Sequence, residues 1–134
     1  MDNFSNAAKA LIVKNGKLLL LKRRTNDPHS PGTWDNPGGR LRPGENPYTG
    51  LQRETKEETG LDIEVGMPIN VHYFTRDDGQ QITLIIFVCK LIGGEMKLSE
   101  EHTEYEWKSS TDPIEEFPAR FQCCVRRYNQ LNLV

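Results

Sequence analysis

The residues best suited to chemistry lie in GGRLRPGENPYTGLQRETKEETGL, from Gly38 to Leu61. Glu54, Glu57 and Glu58 fall at i, i+3 and i+4, positions that share one face of a helix. Three like charges on one face repel, so the arrangement costs stability unless a cation neutralises it. Hard divalent ions prefer carboxylate oxygens, and Mg²⁺ often bridges carboxylates to substrate phosphates. Arg53 stands four residues before Glu57 and can pair with a carboxylate and orient it. Glu45 precedes the helix and can be held by Arg53 or join an ion site. Gly38 and Gly39 fit a backbone that has to come close to a metal or ligand. A solvated acidic helix face is the competing explanation of the Glu triplet. It does not account for the glycines, Glu45 and Arg53 as a set.

These residues need a scaffold, and the pattern supplies one. Ala7 to Val13 and Lys17 to Arg23 read as two strands joined by a turn at Asn15-Gly16. Leu18 to Leu21 is continuously apolar, as in a strand buried on both faces. Thr25 to Thr33 reads as a loop long enough to lie over a site. A short extended piece follows from Trp34 to Gly39. Asn46 is placed to cap a helix with Pro47 at its first position, and Gly60 to stop it after Thr59. Strands are expected at Asp62 to Val65, Ile69 to Thr75 and Gln81 to Leu91, with a turn at Asp77 to Gly79 and a break at Gly93-Gly94. A polar loop is expected to reach Glu104, then a short strand around Trp107 and a turn or short helix at Pro113 to Glu116. Ala119 to Leu131 reads as a terminal helix with Phe121, Cys124, Val125, Tyr128 and Leu131 on its apolar stripe. The mixture implies an α/β fold, helices packed on a mixed sheet, in one domain over residues 1–134.

Composition narrows the function classes. Lys+Arg is 17 and Asp+Glu 19, for a net charge of −2, so no broad nucleic-acid footprint is expected. A small phosphorylated ligand needs only a local basic patch. The apolar runs fall short of a bilayer span, and the N-terminus shows no signal-peptide pattern, so no membrane association is expected. Three Cys, with Cys123 and Cys124 adjacent, match neither a disulfide framework nor a metal knuckle. They read as thiols in a reducing, cytoplasmic compartment. The pattern leaves oligomeric state open, a homodimer included.

The spacing within the opening stretch resembles a family signature. After Gly39, Glu45 follows five intervening residues and Arg53 seven more, and the run continues Arg53-Glu54-Thr55-Lys56-Glu57-Glu58-Thr59-Gly60-Leu61. This is similar to the signature of the Nudix hydrolases, MutT-like members among them. Pro37-Gly38-Gly39 and Trp34 fit the same resemblance. Thr55 departs from it, standing where the family usually has an aliphatic residue; its hydroxyl could bond back to a helix carbonyl. The resemblance implies an α/β/α sandwich with the mixed sheet between helices. It implies metal-dependent hydrolysis of a phosphoanhydride in a nucleoside diphosphate linked to another group, using Mg²⁺ or Mn²⁺. Glu54, Glu57 and Glu58, with the Gly39 carbonyl, become the expected metal ligands. Arg53 becomes the orienting partner, supported by Glu45. Glu54 leads as general base, with Glu57, Glu101 and Glu104 as competitors.

The expected ligand is a small nucleotide. Arg23 and Arg40 are candidates for its phosphates, beside Gly38 at the glycine turn. Trp34 and Tyr73 are candidates for stacking on its base; Tyr73 and Phe74 alternate on a strand, so only one of them faces the ligand. Asp35 and Asn36 are further candidates for a base edge. The resemblance favours a nucleoside triphosphate cut to monophosphate and pyrophosphate. ADP-ribose, an NDP-sugar, a dinucleoside polyphosphate, and a non-catalytic nucleotide-binding module remain alternatives.

Overall fold

The computed structural model describes residues 3–131. Strands β1 (Phe4–Lys14) and β2 (Lys17–Arg23) form the expected hairpin, and Asn15 adopts the left-handed conformation that its tight turn demands. Two short strands follow, β3 (Trp34–Asp35) and β4 (Gly38–Arg40), then helix α1 (Pro47–Thr59). Next come β5 (Leu61–Thr75), β6 (Gln81–Gly94) and β7 (His102–Ser109). Two 3-10 turns, Ile114–Glu116 and Ala119–Phe121, lead into α2 (Gln122–Gln130).

The seven strands make one mixed sheet in the order β3-β2-β1-β6-β5, with β4 paired to β1 and β7 to β2. β1 and β6 run parallel, and every other pairing is antiparallel. β2 explains its own leucine run. Leu18 and Leu20 enter the core under α2, whereas Leu19 and Leu21 enter the core under α1. β1 divides in the same way, with Leu11 on one side and Ala10 and Ile12 on the other. Such two-faced burial is the α/β/α sandwich that the resemblance implied.

Three expectations need correction. The two strands expected at residues 62–65 and 69–75 are one edge strand, β5, whose register slips around Gly66 to Pro68. An edge tolerates this, since the missing proline N–H breaks no interior ladder. The loop expected through Glu104 ends sooner, because β7 starts at His102 against Arg23. The terminal helix begins with a 3-10 turn, and Leu131 is exposed rather than part of the stripe.

Thr55 also departs from expectation. It is fully buried and its hydroxyl has no partner. The bond back to a helix carbonyl is made instead by Thr59, whose Oγ1 donates to the Thr55 carbonyl at 2.7 Å. An unsatisfied buried hydroxyl carries a desolvation cost that an isosteric methyl lacks. Thr55→Val is therefore expected to stabilise the protein by about 1 kcal/mol, read as a higher urea midpoint at unchanged slope.

Candidate active site

α1 is built to present its carboxylates. Asn46 Oδ1 accepts the Tyr48 N–H at 2.8 Å, and Gly60, at φ 75°, returns its N–H to the Lys56 carbonyl at 2.9 Å. Leu51, Thr55, Glu58 and Thr59 form the buried face. Gly50 has a packing reason to interrupt the helix: a Cβ there would lie 2.7 Å from Leu41 and 2.9 Å from the Glu45 carboxyl carbon.

One guanidinium organises three carboxylates. Arg53 grips Glu45 through two bonds, Nε to Oε2 at 2.9 Å and Nη2 to Oε1 at 3.0 Å. It also donates to Glu54 Oε1 at 3.2 Å and to Glu57 at 3.2 and 3.3 Å. The fork geometry of Arg suits this task, and a point-charge Lys would not reproduce it. Arg53, with the Arg42 N–H on Oε1, holds the Glu45 carboxyl down at about 2.

Glu58 is different. It is buried, and the Gly38 N–H donates to its Oε1 at 3.1 Å. Burial pushes its pKa up to about 8; Lys9 and the Gly38 bond oppose this, while the charges of Glu54 and Glu101 add to it. Glycine is required at position 38, where φ is 125° and a Cβ would fall 2.1 Å from the Ala8 carbonyl oxygen. At Gly39 a Cβ would meet Glu54 Oε2 at 3.4 Å, so Glu54 lies directly against this turn.

Lys9, which the sequence reading passed over, holds the other side of the turn. Its buried Nζ donates to Asp35 Oδ2 at 3.1 Å and to the carbonyls of Asn36 and Gly38 at 3.1 and 3.2 Å. Asp35 also accepts from Arg23 at 3.2 Å and from the Asn36 N–H at 2.7 Å. Burial alone would raise the Asp35 pKa, but Lys9 and these further partners bring it below the usual carboxylate range. Asp35 and Asn36 are thus buried supports of the turn rather than free groups for a base edge.

The remaining candidates separate by position. Glu101 is exposed and near enough for its charge to act on Glu58, whereas Glu104 pairs with Lys22 at 3.4 Å. Arg23 is engaged by both Asp27 and Asp35, one through each Nη, while its buried Nε has no partner. Arg40 is exposed and bonds Gln80. Trp34 packs against the core under α2, as does Phe74. Tyr73 is 65% exposed and lies on the strand at the opposite end of the sheet from Trp34. Alternation therefore gives Phe74, not Tyr73, the same face as Trp34. His102 is buried with neither ring nitrogen partnered, in the field of Lys9, Arg23, Asp35 and Glu101. Burial, then Lys9 and Arg23, lowers its pKa and keeps the ring neutral at pH 7.

Known proteins carry the same architecture. The chain matches the NUDIX domain over residues 4–123. It is 36% identical over 102 residues to the ADP-ribose pyrophosphatase of Methanocaldococcus jannaschii, covering 75% of this chain and 59% of that protein. It is 31% identical over 115 residues to the nucleoside triphosphatase NudI of Escherichia coli, covering 78% and 81%. The crystal structure of the MutT protein from Methanosarcina mazei Go1 superposes with a TM-score of 0.83 at 32% identity, covering 98% and 96%. The chain spans only 61% and 59% of the first two curated relatives that it matches. The domain match takes in the whole glycine turn and α1, and the fold agrees over nearly the full chain: the protein belongs to the Nudix hydrolase family, as a MutT-like member.

Proposed function

We propose that this protein hydrolyses a phosphoanhydride bond in a nucleoside diphosphate linked to a second group, with a nucleoside triphosphate as substrate and a monophosphate and pyrophosphate as products. One observation carries the reading. Glu58 and Glu54 meet the Gly38-Gly39 turn, Glu57 follows on the same face of α1, and only Glu54 and Glu57 have an Arg53 bond to offset their charge. The third, Glu58, is buried with a pKa of about 8, and a further cation beside it would favour its charged form. The donor set is all oxygen, which fits a hard divalent ion such as Mg²⁺, with Mn²⁺ as a substitute. Glu54, Glu57, Glu58 and the Gly39 carbonyl would hold it. When bound, such an ion supplies charge neutralisation at the phosphoryl oxygens and the leaving phosphate.

The chain's own groups do the rest. Glu54, held by Arg53 and pressed against Gly39, orients the attacking water and takes its proton. Glu101 is the competing base, since its charge reaches Glu58; Glu104 is turned to Lys22. Trp34, half-buried on β3, offers apolar surface for a base, and exposed Arg40 a cation for phosphate. Arg23 acts through Asp35 and Asp27, bracing the turn and the loop after β2. The E. coli relative's name supports the triphosphate reading. The archaeal relative's name supports a second one, ADP-ribose, through the same residues.

Product analysis tests both. The purified chain is incubated with Mg²⁺ and ordinary and oxidised nucleoside triphosphates, ADP-ribose, NDP-sugars and dinucleoside polyphosphates. Metal-dependent release of monophosphate plus pyrophosphate from a triphosphate is expected. In Glu57→Gln, whose carboxylate is exposed and shares Arg53, turnover should fall about 10–100-fold. Turnover of ADP-ribose alone keeps the mechanism and replaces the substrate. No turnover of anything overturns the enzymatic reading in favour of a binding module.

A further inference from the structure

Under α2, on the other face of the sheet, a second group of ligating atoms converges. His72 of β5 and Cys123 and Cys124 of α2 each place one ligating atom so that all three lie within 4.8 Å of one another. Sequence spacing hides this group, because the third member comes from a strand 51 positions before Cys123.

The polar arrangement around it is specific. Arg127 Nη1 donates to Asn70 Oδ1 at 3.0 Å, which fixes the Asn70 amide with its NH₂ inward. That NH₂ lies 2.8 Å from Cys123 Sγ and 3.3 Å from His72 Nε2. An NH₂ only donates, so Nε2 is the unprotonated ring nitrogen and its lone pair accepts from Asn70. An ion would displace the Asn70 NH₂ from both His72 Nε2 and Cys123 Sγ, taking the two lone pairs that now accept from it.

We propose that His72, Cys123 and Cys124 form a second metal site, chemically distinct from the carboxylate cluster, that takes a borderline or soft divalent ion of the zinc type. Two sulfurs and one imidazole nitrogen select zinc-like ions, whereas the α1 oxygens select magnesium-like ones. Zinc bond lengths place tetrahedral ligand atoms about 3.6–3.8 Å apart. The group has to contract by at most about 1 Å to reach that spacing. His72 and Cys123 are half-buried, so a water can complete the shell. The cysteine pair suits a metal better than a disulfide. Neighbouring Cα atoms are about 3.8 Å apart, below the usual disulfide range. Burial, then Cys123, pushes the Cys124 thiol up to about 12, so it keeps its proton until an ion displaces it.

Cobalt reads this site without reference to turnover. The reduced, chelator-stripped full chain is titrated with Co²⁺ in excess Mg²⁺, which occupies the oxygen site. One equivalent of Co²⁺ should bind with a thiolate-to-cobalt charge-transfer band in the near ultraviolet, and Zn²⁺ should bleach it. Cys123→Ser and His72→Gln, both at half-buried positions, should each weaken Co²⁺ binding at least tenfold. Glu58→Gln should leave the band intact, even if the proposed hydrolysis is wrong. Absence of the band in the wild type overturns the site, as does an undiminished band in both Cys123→Ser and His72→Gln, or its loss in Glu58→Gln.

Discussion

Glu58→Gln is expected to lose turnover on the order of 10³-fold while making the metal-free fold more stable at pH 8.5. The two effects share one cause. The Glu58 carboxyl is buried, with Glu54 and Glu101 adding like charge, and its pKa is raised from 4.5 to about 8. Between those values the folded state binds the proton more tightly than the unfolded chain. The contribution to stability is full below about pH 4.5 and is lost as pH rises through about 8. At about 1.4 kcal/mol per pKa unit, the loss amounts to a few kcal/mol. Glutamine carries no such proton and keeps an oxygen for the Gly38 N–H, so the variant's stability should stay flat over this range. Function demands the charge that the fold resists. A lost metal ligand forfeits several kcal/mol of transition-state stabilisation, and each 1.36 kcal/mol is about tenfold in rate. Thermal unfolding in EDTA at pH 5.5 and 8.5, beside turnover in Mg²⁺, reads both effects. Full activity in the variant, or a metal-free fold less stable than wild type at pH 8.5, would sink the assignment of Glu58.

How far such a site can be read in advance depends on whether its parts are local. Asn46, Pro47 and Gly60 bound α1 through interactions within a few residues, so the helix was legible to its ends. The i, i+3, i+4 spacing put Glu54, Glu57 and Glu58 together, and the four-residue step to Arg53 anticipated its bond to Glu57. The double bond from Arg53 to Glu45 spans eight residues and a turn, and was legible only as one of two options. Non-local features were not legible. The match of Phe74 rather than Tyr73 to Trp34 depends on strand order. The link from Arg23 to Asp35 depends on β3 pairing with β2. His72 meets Cys123 only because α2 packs on β5. One non-local feature did leave a trace. Lys9 interrupts the apolar run AAKALIV, and a lysine between residues buried at every neighbouring position requires a partner.

That partner makes Lys9→Met the substitution with the largest expected cost to the fold, about 3–5 kcal/mol. Met fits the stem of Lys, so the loss is not one of volume. It comes from the groups left behind. Asp35 would keep Arg23 and the Asn36 N–H but lose its buried cation, and the Asn36 and Gly38 carbonyls would lose the ammonium that holds them. Glu58 would also lose the charge that opposes its burial, so its pKa should climb further and turnover should fall with stability. A double-mutant cycle isolates the pair. Asp35→Asn alone leaves Lys9 without its counter-charge, whereas Lys9→Met with Asp35→Asn removes both charges. The double variant should therefore be less destabilised than the sum of the singles, with a coupling of about 1–3 kcal/mol in urea unfolding. Strict additivity would mean that Lys9 acts only through the two carbonyls. Wild-type stability in Lys9→Met would mean that the ammonium is solvated and that something else holds the Gly38 turn against Glu58.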